Sequence, residues 1–167
     1  DHYRNLDGEM VIDFSRELEP LGTGGAIRNA QELIVSDSFI VFNGDSLCPV
    51  DLKELFCAHQ KSEAMATLTV AKVDEGKDYG GIVLDDNNQI AAFNEKPGSA
   101  ISFANAGVYC FNQSIFSVMP NQENFSLEYD VFPGMVNHSL HGFQTKKSFQ
   151  DIGTPDRYEQ AKKQLKS

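Results

Sequence analysis

Cysteine is scarce and scattered. Cys48, Cys57 and Cys110 form an odd set with no Cys-x-x-Cys spacing. This argues against a disulfide framework or a zinc cage, which call for an even or clustered set. Isolated reduced thiols in partly buried positions are expected instead, as suits a cytoplasmic protein. The histidines are no better placed for metal. His138 and His141 lie close together, but Gly142 follows and no acidic residue stands beside them at ligand spacing. Positive charge is the second shortage, with 14 Lys+Arg facing 24 Asp+Glu for a net charge of −10 over 167 residues. Nucleic-acid-binding domains usually carry a basic patch, so no nucleic-acid partner is expected. Long apolar runs are missing too. No stretch approaches the roughly 20 residues a bilayer demands, and Asp1-His2-Tyr3-Arg4 does not read as a signal peptide, so no membrane association is expected. What remains is an ordinary globular composition, 41% hydrophobic and 23% charged, read as one domain over residues 1–167.

Along the chain, Met10 to Phe14 has the apolar character of a strand. Pro20 to Gly25 is a glycine-rich loop, and Ala26 to Ile34 has helical apolar spacing. Phe39 to Phe42 is a continuous apolar run, expected as a strand buried on both faces. Asp51 caps a helix to about Lys61. Met65 to Val73 alternates as a strand, while Gly81–Leu84 and Gln89–Asn94 make a hairpin about Asp85-Asp86-Asn87-Asn88. Phe103 to Phe111 is a further strand. Helices are expected at Ser114–Val118 and at Leu127–Asn137, the second capped by Ser126 with Glu128 in its first turn. A last strand follows at Phe143–Gln150, and Pro155 opens a C-terminal helix to Lys166. Helix and strand alternate early and strands dominate later, which indicates an α/β sheet domain.

Several segments could carry chemistry. Leu21-Gly22-Thr23-Gly24-Gly25 lets backbone approach a flat ligand and offers amides at a helix start. It is neither a dinucleotide fingerprint nor a Walker loop, and a plain turn would explain it equally well. Asn43-Gly44-Asp45 follows a strand, where open α/β sheets place their ligand crevice. Asp45 suits Mg²⁺, which prefers carboxylate oxygens, or else a simple Asx turn. Asp151-Ile152-Gly153-Thr154-Pro155 poses the same choice, and the two aspartates could share one ion. Asn105 inside an apolar strand needs a hydrogen-bond partner, for which a hydroxylated ligand is one candidate. Glu95-Lys96-Pro97 alone would be a solvated ion pair stopped by proline.

Taken in order, with Tyr79-Gly80-Gly81 among them, these motifs resemble the sugar-1-phosphate nucleotidyltransferases over nearly the whole chain. Within that family the sequence is most similar to the D-glycero-D-manno-heptose 1-phosphate guanylyltransferases. Mannose-1-phosphate guanylyltransferases are close by. The resemblance implies a Rossmann-like, GT-A-like mixed α/β sheet flanked by helices. It also implies transfer of a nucleotidyl group from a nucleoside triphosphate (GTP favoured, ATP the alternative) to a heptose- or mannose-type sugar 1-phosphate. The products would be pyrophosphate and a nucleotide sugar for bacterial surface polysaccharide. Asp45 and Asp151 then become Mg²⁺ ligands and Lys96 the cation near the sugar phosphate. Leu21, Gly22, Thr23 and Gly24 become the nucleotide contact, and Gly80, Glu95 and Asn105 the sugar readers. Transfer of this kind depends on positioning and charge neutralisation.

One family element has no counterpart among residues 1–167, the Gly-Gly-x-Gly-Thr-Arg loop with its downstream Pro-Lys. The chain therefore reads as lacking the first two β-α units. Apolar strand edges near Phe39–Phe42 are expected to lie unpaired, leaving a homo-oligomer open. The 167 residues alone are expected to be inactive, because charge-stabilising donors in phosphoryl transfer are worth several powers of ten in rate. Two alternatives stand beside this reading. One is a non-catalytic homologue that binds a sugar nucleotide or pairs with a partner. The other, a metal-dependent glycosyltransferase, is disfavoured by the single Asp in Asn43-Gly44-Asp45.

Overall fold

A computed structural model describes residues 11–72, 81–94, 103–147 and 149–164. The first described helix, α1 (Gly22–Asn29), is followed by a 3₁₀ turn at Gln31–Leu33. Strands β1 (Ser38–Phe42) and β2 (Ser46–Leu47) lead to helix α2 (Leu52–Ser62) and strand β3 (Ala66–Lys72). Strands β4 (Gly81–Leu84), β5 (Ile90–Asn94) and β6 (Phe103–Asn112) come next. A 3₁₀ turn at Gln113–Val118, a π turn at Leu127–Val131 and the short α3 (Phe132–Met135) precede β7 (Leu140–Thr145), β8 (Gln150–Asp151) and α4 (Pro155–Gln164).

The main sheet is mixed, in the order β5-β4-β6-β3-β7, with β1 also on β6; β2 and β8 form a separate ribbon. Among the described strands only the β3–β7 pairing is parallel. β6 organises everything. One of its edges pairs with β3 along most of its length, while the other is shared, with β4 at Phe103 and β1 from Val108 to Asn112. Between these partners β6 bulges, since Leu68 faces Tyr109 but Val70 faces Asn105. Gly107 in the bulge has φ of 73°, a left-handed conformation that glycine adopts without penalty.

Alternation along β6 builds two cores. Tyr109 and Phe111 join Leu68, Val70, Phe125 and Phe132 on one face, whereas Val108 and Cys110 meet Leu55 of α2 on the other. On the α2 face, buried His59 makes 2.9 Å contacts with Thr67 Oγ1 and Asn112 Oδ1.

The sequence expectations need several corrections. Val11 to Phe14, expected in a strand with Met10, is exposed and irregular among the described residues. The Gly22–Gly25 segment is not a loop but the first turn of α1, because close packing on residues 123–125 overrides the poor helix propensity of glycine. β1 is half-buried rather than enclosed on both faces, and Phe42 is 56% exposed; among the described residues it pairs with β6 alone. The helix expected from Leu127 is a π turn plus α3 and stops before Asn137, whose φ is 62°. The single strand expected at Phe143–Gln150 is two, β7 starting earlier at Leu140 and β8 leaving the main sheet for β2. No described helix is long and apolar enough to cross a membrane.

Candidate active site

Asp45 leaves the end of β1 through Asn43-Gly44, and Asp151 ends β8. Pairing of Ser46 with Asp151, together with a 2.7 Å bond from the Ile152 amide to the Asp45 carbonyl, sets the two aspartates side by side. Their carboxylates flank Gly153. A methyl group there would lie 3.2 Å from Asp151 Oδ1 and 3.4 Å from Asp45 Oδ2, so the glycine leaves the space between them clear. The Gly153 amide donates to Asp151 Oδ1 at 2.8 Å, and the Arg157 guanidinium pairs with Asp151 Oδ2. Asp45 is exposed and Asp151 half-buried. This donor set fits a hard divalent cation, which takes carboxylate oxygens and keeps water or phosphate oxygens for its other positions. No group of three or more His, Cys, Asp or Glu among the described residues could hold an ion by itself, so two carboxylates would leave most of the coordination to such oxygens.

Beside this pair runs a hydrogen-bond network centred on Tyr109. Its hydroxyl accepts from Asn105 Nδ2 at 2.9 Å and Asn43 Nδ2 at 3.3 Å, and donates to Glu128 Oε1 at 3.4 Å. Glu128 Oε2 in turn accepts from Thr23 Oγ1 at 2.7 Å and Ser126 Oγ at 2.8 Å. Burial is the main reason the Tyr109 phenol is pushed well above its ordinary pKa; the Glu128 charge adds to this, and the asparagine donors oppose it. Asn105 therefore already has partners, since its Oδ1 also accepts the Gly107 amide at 3.0 Å. A methyl on Gly107 would lie 2.8 Å from Ser46 Cβ and 3.2 Å from Asn43 Cβ, so the β6 bulge rests directly on the Asn43–Ser46 turn.

The glycines of α1 are pressed against residues 123–125. A methyl on Gly24 would come within 2.3 Å of the Phe125 ring, and one on Gly25 within 2.3 Å of the Glu123 carbonyl oxygen. The Gly24 and Gly25 amides both donate to the Phe125 carbonyl, at 3.0 and 3.3 Å. Arg28 reinforces the seam by donating to the Pro120 and Gln122 carbonyls, with its guanidinium 4.6 Å from the centre of the Phe125 ring. Thr23 Oγ1 also accepts from the Leu127 amide at 2.9 Å. For a ligand, this leaves the amides of Gly22 and Thr23, which have no hydrogen-bond acceptor among the described residues, and the exposed Gly22 surface beside Leu21.

Asp45 and Asp151 thus come together, and Thr23 and Asn105 are joined through Glu128 and Tyr109. Gly80, Glu95 and Lys96 lie outside the described residues. Sequence reasoning passed over Tyr109, Glu128, Gly153 and Arg157 as site residues. Gly153 sat inside a motif already singled out, Tyr109 lay within the strand that carries Asn105, Glu128 was noted only as a first-turn acid, and Arg157 carried no signal of its own. A separate open groove of about 510 Å³ lies at the other end of β3 and β7, lined by Lys61, Gln89, His138 and His141 among others. It contains none of the expected site residues.

A mixed sheet flanked by helices, with two strand-end aspartates beside a glycine-rich helix start, is the arrangement expected of a nucleotidyltransferase. The nucleotidyl transferase family model matches residues 2–167, and the chain belongs to that family. It is 36% identical over 165 residues to the D-glycero-alpha-D-manno-heptose 1-phosphate guanylyltransferase of Aneurinibacillus thermoaerophilus, covering 98% of this chain and 71% of that protein. It is 32% identical over 154 residues to the mannose-1-phosphate guanylyltransferase of Mycobacterium tuberculosis, covering 88% of this chain but 42% of that one. Among solved structures it matches HddC from Yersinia pseudotuberculosis complexed with GMP-PN, with a TM-score of 0.74 and 33% identity over 89% of this chain and 64% of that chain.

Proposed function

We propose that this chain forms the cation-holding and sugar-facing part of a sugar-1-phosphate guanylyltransferase that joins a guanosine nucleotide to a heptose- or mannose-type sugar 1-phosphate. The observation that carries the reading is the convergence of Asp45 and Asp151 on the clear space beside Gly153. Mg²⁺ held by these carboxylates would offset the charge of the approaching phosphates. The chain's own residues do the positioning. The Gly22 and Thr23 amides face the nucleotide, and the Asn105 amide, held by Tyr109, faces the sugar hydroxyls. Lys96 is assigned to the sugar phosphate. The guanosine and heptose or mannose preferences follow the named relatives. A cytoplasmic location and a role in surface-polysaccharide precursor supply belong to the same reading.

Residues 1–167 contain no Gly-Gly-x-Gly-Thr-Arg loop, so by themselves they are expected to bind product without turning over substrate. Calorimetric titration with GDP-mannose, with and without Mg²⁺, tests this. Mg²⁺-dependent binding that Asp45→Asn and Asp151→Asn both lose is the expected result. Binding that is absent, or indifferent to Mg²⁺ and to both variants, overturns the reading. A pyrophosphate-release assay with GTP and a panel of sugar 1-phosphates is expected to stay at background, and robust turnover would refute the inactivity of the isolated chain.

A further inference from the structure

Both carboxylate oxygens of Asp151 already have protein partners. Its Oδ1 accepts the Gly153 amide, and its Oδ2 is held by Arg157 from the first turn of α4. The Asp45 carboxylate, by contrast, has among the described residues only a 3.5 Å contact from Ser46 Oγ. The Arg157 amide is 3.4 Å from Thr154 Oγ1, which ties the start of the helix to the same turn. The Arg157 side chain is 52% exposed and that of Asp151 36% exposed. An ion pair this wet is weak and easily exchanged. A positive charge next to two carboxylates lowers their attraction for a second cation, and a guanidinium released from a carboxylate has a planar fork well suited to phosphate oxygens.

We infer that Arg157 is a resident counter-ion of the aspartate pair. It competes with a divalent cation for Asp151 and moves to the phosphate when cation and nucleotide arrive together. The inference rests on the assignment of Asp45 and Asp151 as cation ligands. Arg157 is thus a positioning residue that makes the site favour a cation–phosphate pair over the free ion.

Mn²⁺ titration of the full chain, followed by electron paramagnetic resonance without substrate, tests this independently of turnover. Arg157→Gln is expected to bind free Mn²⁺ about two- to fivefold more tightly than the native chain, the scale of a lost exposed ion pair. Arg157→Lys, which keeps the charge, is expected to stay near native. With GDP added the order reverses, and Arg157→Gln binds the Mn²⁺–GDP pair more weakly than the native chain does. Free-Mn²⁺ affinity in Arg157→Gln that is unchanged or weakened overturns the counter-ion role, provided Asp45→Asn still abolishes Mn²⁺ binding. If Asp45→Asn and the native chain bind Mn²⁺ alike, the cation site itself is refuted and the counter-ion role with it.

Discussion

The Tyr109 hydroxyl lies 3.4 Å from Glu128 Oε1, and through that carboxylate β6 is joined to Thr23 at the start of α1. One phenol therefore ties together the turn after β1, the bulge of β6 and the glycine-rich helix. Tyr109→Phe keeps the ring in the core but leaves Glu128, Asn43 and Asn105 each short of a partner. Urea unfolding is expected to show a loss of about 1 kcal/mol, the lower end of the cost of stranding a polar group, because all three are only partly buried. An unchanged midpoint would mean that the network is decorative.

Gly24 faces the Phe125 ring so closely that no side chain fits. Gly24→Ala is expected to destabilise the chain by about 1–3 kcal/mol through overpacking, because the ring is fixed by Arg28 above it and the core below. Gly44→Ala, with nothing within 4 Å of the added methyl, serves as the tolerated comparison in the same thermal melts.

Gly153 offers a separation of fold from site. A methyl there lies nearest the two aspartates, 3.2 Å from Asp151 Oδ1 and 3.4 Å from Asp45 Oδ2, and Gly153 itself is exposed. Gly153→Ala is expected to melt near the native temperature yet to bind Mn²⁺ about tenfold more weakly or worse, since crowding of this kind costs roughly 1–3 kcal/mol. Retained Mn²⁺ affinity would place the ion elsewhere.

Burial holds the His59 imidazole below its ordinary pKa, the bond to Asn112 opposing the shift only in part, and burial likewise lowers His141. Below about pH 6.5 the unfolded chain therefore takes up protons that the folded chain resists. Stability is expected to be fully present above that value and to fall as the pH drops below it towards 5.5. His59→Gln is expected to flatten the decline, His141 supplying what slope is left. Melting temperatures that stay level or rise on acidification would contradict the sign.

Most of the sheet was legible in the sequence because its strands carry period-two or continuous apolar runs, and α2 was legible because Asp51 accepts from the Lys53 and Glu54 amides as a cap should. The aspartate pair was legible from its place at two strand ends. Other features depended on tertiary contacts that no local pattern announces. Gly22–Gly25 reads as a turn until the 123–125 wall is present to fold it into helix. Arg157 gained its place only from the direction in which α4 begins, and Asn105 looked in need of a ligand because no local pattern pairs it with Tyr109, four residues on across the β6 bulge.

Along residues 120–123 the seam that holds α1 is written in main-chain atoms, the Pro120 and Gln122 carbonyls, while Phe125 adds its carbonyl, its amide and its ring. Asn121, Gln122 and Glu123 keep their side chains in solvent. Substitutions there can drift without loosening the helix, so a tract tolerant of change borders a wall of glycines that tolerates almost none. A saturation library across the two would show the boundary as a step in permitted residues within a few ångströms of space.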